Sequence, residues 1–115
     1  MPPRYRFTPL AVADIETILD DTLHLFGPLQ EQRYYDLILV AAERVAADPH
    51  GLGTKARDDL SVGLRSFHIA NAAGRKGAAS HVLYFRPVTF SDGENGILIA
   101  RVLHDRMDPE LHVGA

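Results

Sequence analysis

Gly96-Ile97-Leu98-Ile99-Ala100-Arg101-Val102-Leu103-His104-Asp105-Arg106-Met107-Asp108-Pro109 decides the fold. Ile97 to Leu103 is an almost unbroken branched-apolar run, too short for an ordinary helix, and reads as a strand covered on both faces inside a sheet. Arg101 interrupts it, and His104, Asp105, Arg106 and Asp108 close it with a cluster of charge where the sheet meets solvent. That end of the sheet is the first place to look for function.

Working back toward the N-terminus, Arg4-Tyr5-Arg6-Phe7 alternates basic and aromatic residues, as a short strand does, and Thr8-Pro9 supplies an N-cap and a first helical residue. Ala11, Ile15, Ile18, Leu19, Thr22, Leu25 and Phe26 then fall on one helical stripe, with Asp14, Glu16, Asp20 and Asp21 off it, and Asp14 and Glu16 suit the positive N-terminal end. Gly27 ends this helix by adopting a left-handed conformation, and Pro28 opens a second one at once, so the two form an antiparallel hairpin. Tyr34, Leu37, Ile38, Ala41 and Val45 make the second stripe, and Asp48-Pro49 ends it. Tyr34 and Tyr35 read as core and core margin.

From Pro49 to Gly63 the chain reads as a long surface loop carrying Lys55, Arg57, Asp58 and Asp59. Leu64–Ile69 and His81–Arg86 read as strands separated by a basic, glycine-containing loop, Asn71–Ala79, and Asp108-Pro109 opens a last turn of helix. The expected fold is α+β: an N-terminal strand, a helix hairpin, then a three-stranded antiparallel meander, forming one mostly antiparallel four-stranded sheet with the helices on one face. The 115 residues are expected to make a single domain, 1–115, burying about two-thirds of the surface of the unfolded chain.

Composition narrows the function. Apolar residues are 46% and charged residues 23%, and no apolar run reaches the roughly 18 residues of a membrane span. No secretory signal opens the chain and no cysteine occurs, so a cytoplasmic location is expected, with no disulfides, cysteine nucleophiles or zinc thiolates. The net charge of −3 disfavours generic nucleic-acid binding, and no direct sequence-specific DNA binding is expected. The six histidines, His24, His50, His68, His81, His104 and His112, form no metal-binding pair on one helix, and no phosphate loop follows a strand. No metal and no cofactor are expected.

The remaining chemistry is a basic and aromatic set drawn from different strands: Arg65, Tyr84, Arg86, Arg101, His104 and Arg106, preceded by Lys55-x-Arg57. Alternation puts Tyr84 and Arg86 on one sheet face, where arginines can hold a phosphate or a carboxylate bidentately. The plainer alternative is that each arginine pairs with an acid such as Asp58, Asp59, Asp105 or Asp108 and caps the sheet edge.

Arg101 to Pro109, preceded by Leu64-Arg65-Ser66, by Tyr84-x-Arg86 and by Phe26-Gly27 leading to Tyr34-Tyr35, resembles the ParE toxins of the RelE/ParE superfamily, also called plasmid stabilisation proteins. The resemblance runs from the first strand to about His112. It implies the toxin half of a type II toxin–antitoxin pair, neutralised by a cognate, ParD-like antitoxin whose C-terminal segment wraps it. ParE members are associated with inhibition of DNA gyrase, and RelE members are ribosome-dependent endoribonucleases acting on messenger RNA. A RelE-like site needs basic and aromatic groups just past the last strand; here Asp105 interrupts that stretch and no tyrosine follows. Gyrase inhibition is therefore the expected activity, with no catalytic residue assigned. The alternatives are a nuclease using His104 as base or acid with Arg65 and Arg101 on the phosphate, and an inactive relative that only binds its antitoxin.

Overall fold

A computed structural model describes residues 4–75 and 77–113. Strand β1 (Tyr5–Phe7) leads into α1 (Pro9–Phe26) and α2 (Pro28–Ala47). Strands β2 (Thr54–Ala56) and β3 (Arg65–His68), the single turn α3 (Ala70–Ala73), and strands β4 (His81–Thr89) and β5 (Asn95–His104) follow. A 3-10 turn at Pro109–Leu111 comes last. No helix among the described residues is long and apolar enough to cross a membrane.

The start of α1 forms for the reason its residues suggest: the Thr8 hydroxyl accepts the Ala11 N–H at 3.1 Å, and Pro9 fills a first-turn position that needs no donor. Gly27 ends it at φ 88°, a positive value as expected, but with ψ 175° rather than the helical value of a left-handed cap. Its N–H still reaches Leu23 O, and Pro28 starts α2 immediately, which fixes the hairpin.

The sheet runs in the order β1-β5-β4-β3-β2. It has five strands rather than four, because Thr54–Ala56, in the stretch expected to be an unbroken loop, pairs antiparallel with Arg65–Phe67. Three residues are too few to show period-two patterning; this strand is specified by its partners, since the Thr54 hydroxyl holds Gly51 O and the Arg65 guanidinium holds Thr54 Oγ1. The basic loop after β3 likewise contains one short helical turn, α3. β5 lies between β1, parallel to it, and β4, antiparallel. Ile97 and Ile99 are fully buried on the helix-covered face, while Leu98 and Ala100 between and after them are only half-buried, so β5 is interior in the sheet but not fully covered on both faces as expected.

Ala11, Ile15, Ile18, Tyr34, Ile38, Ala41 and Val45 pack on Phe67, Leu83, Phe85, Ile97, Ile99 and Val102, so the helix hairpin covers one sheet face. Burying each large aliphatic side chain contributes about 1.5–3 kcal/mol. A smaller cluster, Leu64, Tyr84, Leu103 and Val113, lies separately. The register of β4 on β5 slips between Tyr84 and Phe85, so Ala100 is the extra residue of a bulge. The slip keeps Ile99 and Val102 in the same core although they are three residues apart.

Candidate functional site at the charged end of the sheet

β3 ends, β4 begins and β5 ends at the same edge, because each antiparallel neighbour reverses the chain. This brings His68, His81 and His104 together, with Tyr34 reaching in from α2. Ser80 N–H donates to the Tyr34 hydroxyl oxygen at 3.2 Å, which leaves the tyrosine's own proton to donate to His81 Nδ1, 2.6 Å away. The His81 and His104 rings meet edge to face, centroids 5.3 Å apart and planes at 81°. His104 Nδ1 accepts the Arg106 N–H at 3.1 Å. His68 Nδ1 accepts the Ala70 N–H, and its Nε2 donates to Asp105 Oδ2 at 3.0 Å. Each imidazole thus uses Nδ1 as acceptor and carries its proton on Nε2.

The electrostatics follow from this packing. Burial, with the adjacent His104 ring adding to it, pushes His81 down to about 4, so it is neutral at pH 7. Burial raises the Tyr34 phenol. The hydrogen bond from His68 holds Asp105 below the usual carboxylate range. Two clefts flank the cluster. One, of about 570 Å³, is lined by His68, Asn71, Ser80, His104, Asp105 and Arg106. The other, of about 400 Å³, lies between α1 and β5 and is lined by Thr17, Asp21, His81, His104, Arg106 and Met107 among others. No group of three or more metal-ligating side chains converges among the described residues.

The basic residues singled out from the sequence scatter. Arg65 turns toward the β2 edge, where Nε donates to Pro49 O at 2.8 Å and Nη2 to Thr54 Oγ1 at 2.9 Å. Arg101 sits two strands away on β5, clasped by Asp14 of α1 through Nε and Nη2, both at 2.8 Å, with Nη1 on His112 O. That hydrogen-bonded carboxylate raises the guanidinium's proton affinity further. Asp14 also accepts the Val102 N–H at 2.9 Å, taking the place of a strand where β1 has already ended. Tyr84 is buried against Leu64 and Leu103, and Arg86 donates to Ser61 Oγ while its Nη1 is buried with no hydrogen-bond partner among the described residues. Arg57 forks onto Asp59, and Lys55 is exposed on β2. His104 and Arg106 are brought together; Arg65 is two strands away from them.

Tyr34, His68, His81 and Asp105 were not among the site residues expected from the sequence. One signal did exist: in an antiparallel meander, histidines at the end of one strand, the start of the next and the end of the third must share an edge. Asp14 carried no such signal, since an acid in the second turn of a helix is ordinary.

Comparison with known proteins matches this frame. The family model described as the ParE toxin of the type II toxin–antitoxin system parDE fits residues 5–109. Toxin ParE1 of Mycobacterium tuberculosis, from strains CDC 1551 / Oshkosh and ATCC 25618 / H37Rv, is 37% identical over 108 residues, covering 94% of this chain and 95% of the relative. A solved chain of the chromosomal ParDE TA system from P. aeruginosa shares the fold with a TM-score of 0.64 at 18% identity, covering 90% of this chain and 96% of that one. A strand, a helix hairpin and an antiparallel meander, matched over nearly their whole length, place this chain in the ParE toxin family of type II toxin–antitoxin systems.

Proposed function

We propose that this ParE toxin works as a single cytoplasmic domain, that a ParD-like antitoxin segment laid along the cleft between α1 and β5 neutralises it, and that its target is DNA gyrase rather than messenger RNA. The observation that carries the choice of target is the separation of the basic groups. Cleaving RNA needs a base and a phosphate-holding cation at one point, each contributing orders of magnitude. Here Arg65 on β3 is committed to Pro49 and Thr54 toward the β2 edge, and Arg101 on β5, two strands away, to Asp14 of α1. The net charge of −3 also works against binding a polyanion. A target that is bound rather than cleaved needs no such convergence.

The antitoxin's place is supported by an uncovered edge. β1 pairs only with Ile97 to Ile99 and Asp14 takes the Val102 N–H, so among the described residues no strand flanks β5 beyond Val102, and an extended segment can add there. Leu25, Phe26 and Leu29 at the hairpin tip and Met107 and Leu111 after β5 are exposed apolar residues available to a preceding helix.

The test is expression of the toxin alone and with the product of the adjacent antitoxin gene, following RNA integrity and DNA supercoiling in the same extracts. The expected result is growth arrest with relaxed DNA and intact messenger RNA, relieved by co-expression, with the two proteins purifying together. Rapid ribosome-dependent cleavage of messenger RNA with supercoiling untouched would overturn the gyrase reading.

A further inference from the structure

We infer that the floor of the α1–β5 cleft is a carboxylate-recognition site, and that an acidic side chain of the antitoxin segment is seated there between His81, His104 and Arg106. The inference rests on reading that cleft as the antitoxin's groove, and it specifies the chemistry of the partner. Three donor groups line the cleft, the His81 and His104 imidazoles and the Arg106 guanidinium, with the Asp21 carboxylate of α1 in the same lining. His81 has its Nδ1 committed to Tyr34 and His104 has its Nδ1 committed to the Arg106 N–H, so both carry the proton on Nε2. Neither Nε2 has a hydrogen-bond partner among the described residues, and the Arg106 guanidinium has no ion-pair partner among them.

The acids nearby do not fill this role. Asp14, from α1, is occupied by Arg101 and the Val102 N–H. Asp105 is hydrogen-bonded to His68 through Oδ2, holds Oδ1 3.3 Å from His104 Nδ1 on the side away from Nε2, and lines the other cleft. Asp21 on α1 is the remaining carboxylate of the lining, set against Arg106, two imidazoles and His112 from the tail, while Tyr34 of α2 and His68 of β3 are turned into the bonds already described. The floor therefore offers more donor than acceptor capacity. An apolar side chain laid over it would strand the imidazole N–H groups without water, whereas a carboxylate satisfies them and pairs with Arg106. The arrangement selects for an acidic segment and against a neutral one of the same shape.

A carboxylate brought against imidazoles favours their protonated form, so forming the complex takes up protons. The experiment is calorimetric titration of the whole toxin with its purified antitoxin at pH 6, 7 and 8, in two buffers of different ionisation heat. The wild type should bind more tightly as pH falls and take up protons at pH 7. His104→Gln should lose most of that uptake. Arg106→Glu, an exposed change past the strand, should weaken binding about tenfold or more, and one Asp or Glu to Lys change in the antitoxin should restore it. Unchanged far-ultraviolet spectra will show that both variants are folded. If the antitoxin binds but uptake is absent and both variants bind as the wild type does, the carboxylate site is wrong and the antitoxin groove stands. Loss with Arg106→Glu that no antitoxin reversal restores, without proton uptake, reduces the effect to general surface charge and also overturns the site. If wild-type toxin and antitoxin do not associate, the groove and the site fall together.

Discussion

Replacing Asp14 by alanine tests the most consequential contact in the fold that its sequence position does not announce. The carboxylate accepts two N–H groups of Arg101 at 2.8 Å and the Val102 backbone N–H at 2.9 Å. The two side chains are only 13% and 17% exposed. Asp14→Ala leaves a largely buried guanidinium facing only the His112 carbonyl, and strips the Val102 N–H of its partner at a strand edge. Breaking a buried pair on one side costs about 3–5 kcal/mol, of which an orphaned buried N–H accounts for roughly 1–3. Against a total stability of about 5–15 kcal/mol, that is a large fraction. In urea, with a slope of about 2 kcal/mol per molar, the midpoint should fall by about 1.5–2.5 M. Adding Arg101→Met removes the stranded charge while keeping an apolar stem, so the double variant should be more stable than Asp14→Ala alone. A loss below about 1 kcal/mol would reduce the clasp to an ordinary surface ion pair. A double variant as unstable as the sum of the two singles would show that the two side chains do not act as a pair.

Three further outcomes are expected. A methyl group at Gly96 would run into the Arg4 carbonyl oxygen and come within 2.6 Å of Phe90 Cε2, and the Phe90 ring is itself held by the Arg4 and Arg6 guanidiniums, 4.6 and 4.7 Å from its centroid. Gly96→Ala should therefore push β1 off β5 at a cost of about 1–3 kcal/mol, visible as faster amide exchange at the Ile97 N–H that Arg4 O accepts; unchanged protection there would refute it. Ile99→Asp places a charge at a fully buried position and should abolish cooperative unfolding, so a folded, soluble variant would remove the basis for the interior strand. Stability should also fall with acid. The unfolded chain protonates His81 near the ordinary 6.5 and the folded one only near 4, so between these values the unfolded state holds more protons. The loss sets in as pH drops through 6.5 and is complete near 4; for a ring that solvent still partly reaches, about 1–2 kcal/mol is expected, and His81→Gln should flatten that part of the profile.

What the sequence made legible were features that local chemistry settles. Thr8-Pro9 and Gly27-Pro28 set the helix boundaries because capping and φ preference act within a turn, and Ile97 to Leu103 announced an interior strand because apolar faces must be covered. The features that did not show depend on partners far along the chain. β2 is three residues held by pairing and by a guanidinium eleven positions away, and α3 is a single turn after β3. Asp14 meets Arg101 across 87 residues, a pairing that no acid or base close in sequence suggested; of the acids weighed for the arginines, only Asp59 takes one, Arg57. The polar cluster stands between these cases, since its histidines follow from the meander but the tyrosine that locks His81 comes from α2.

The two fates of the basic residues bear on how such a toxin divides its surface. A guanidinium that already donates to a carboxylate or to backbone carbonyls has little left to give a phosphate, and that is the state of Arg65, Arg101 and Arg57, each fixed by the element it ties down. Arg106 lies past the last strand, where its guanidinium has no ion-pair partner among the described residues, and it lines the same cleft as the His81 and His104 imidazoles. Fold-holding cations and ligand-seeking donors are thus separated along a single strand, between Arg101 and His104. A substitution at Arg101 should therefore be read first in unfolding curves, and one at Arg106 first in partner affinity.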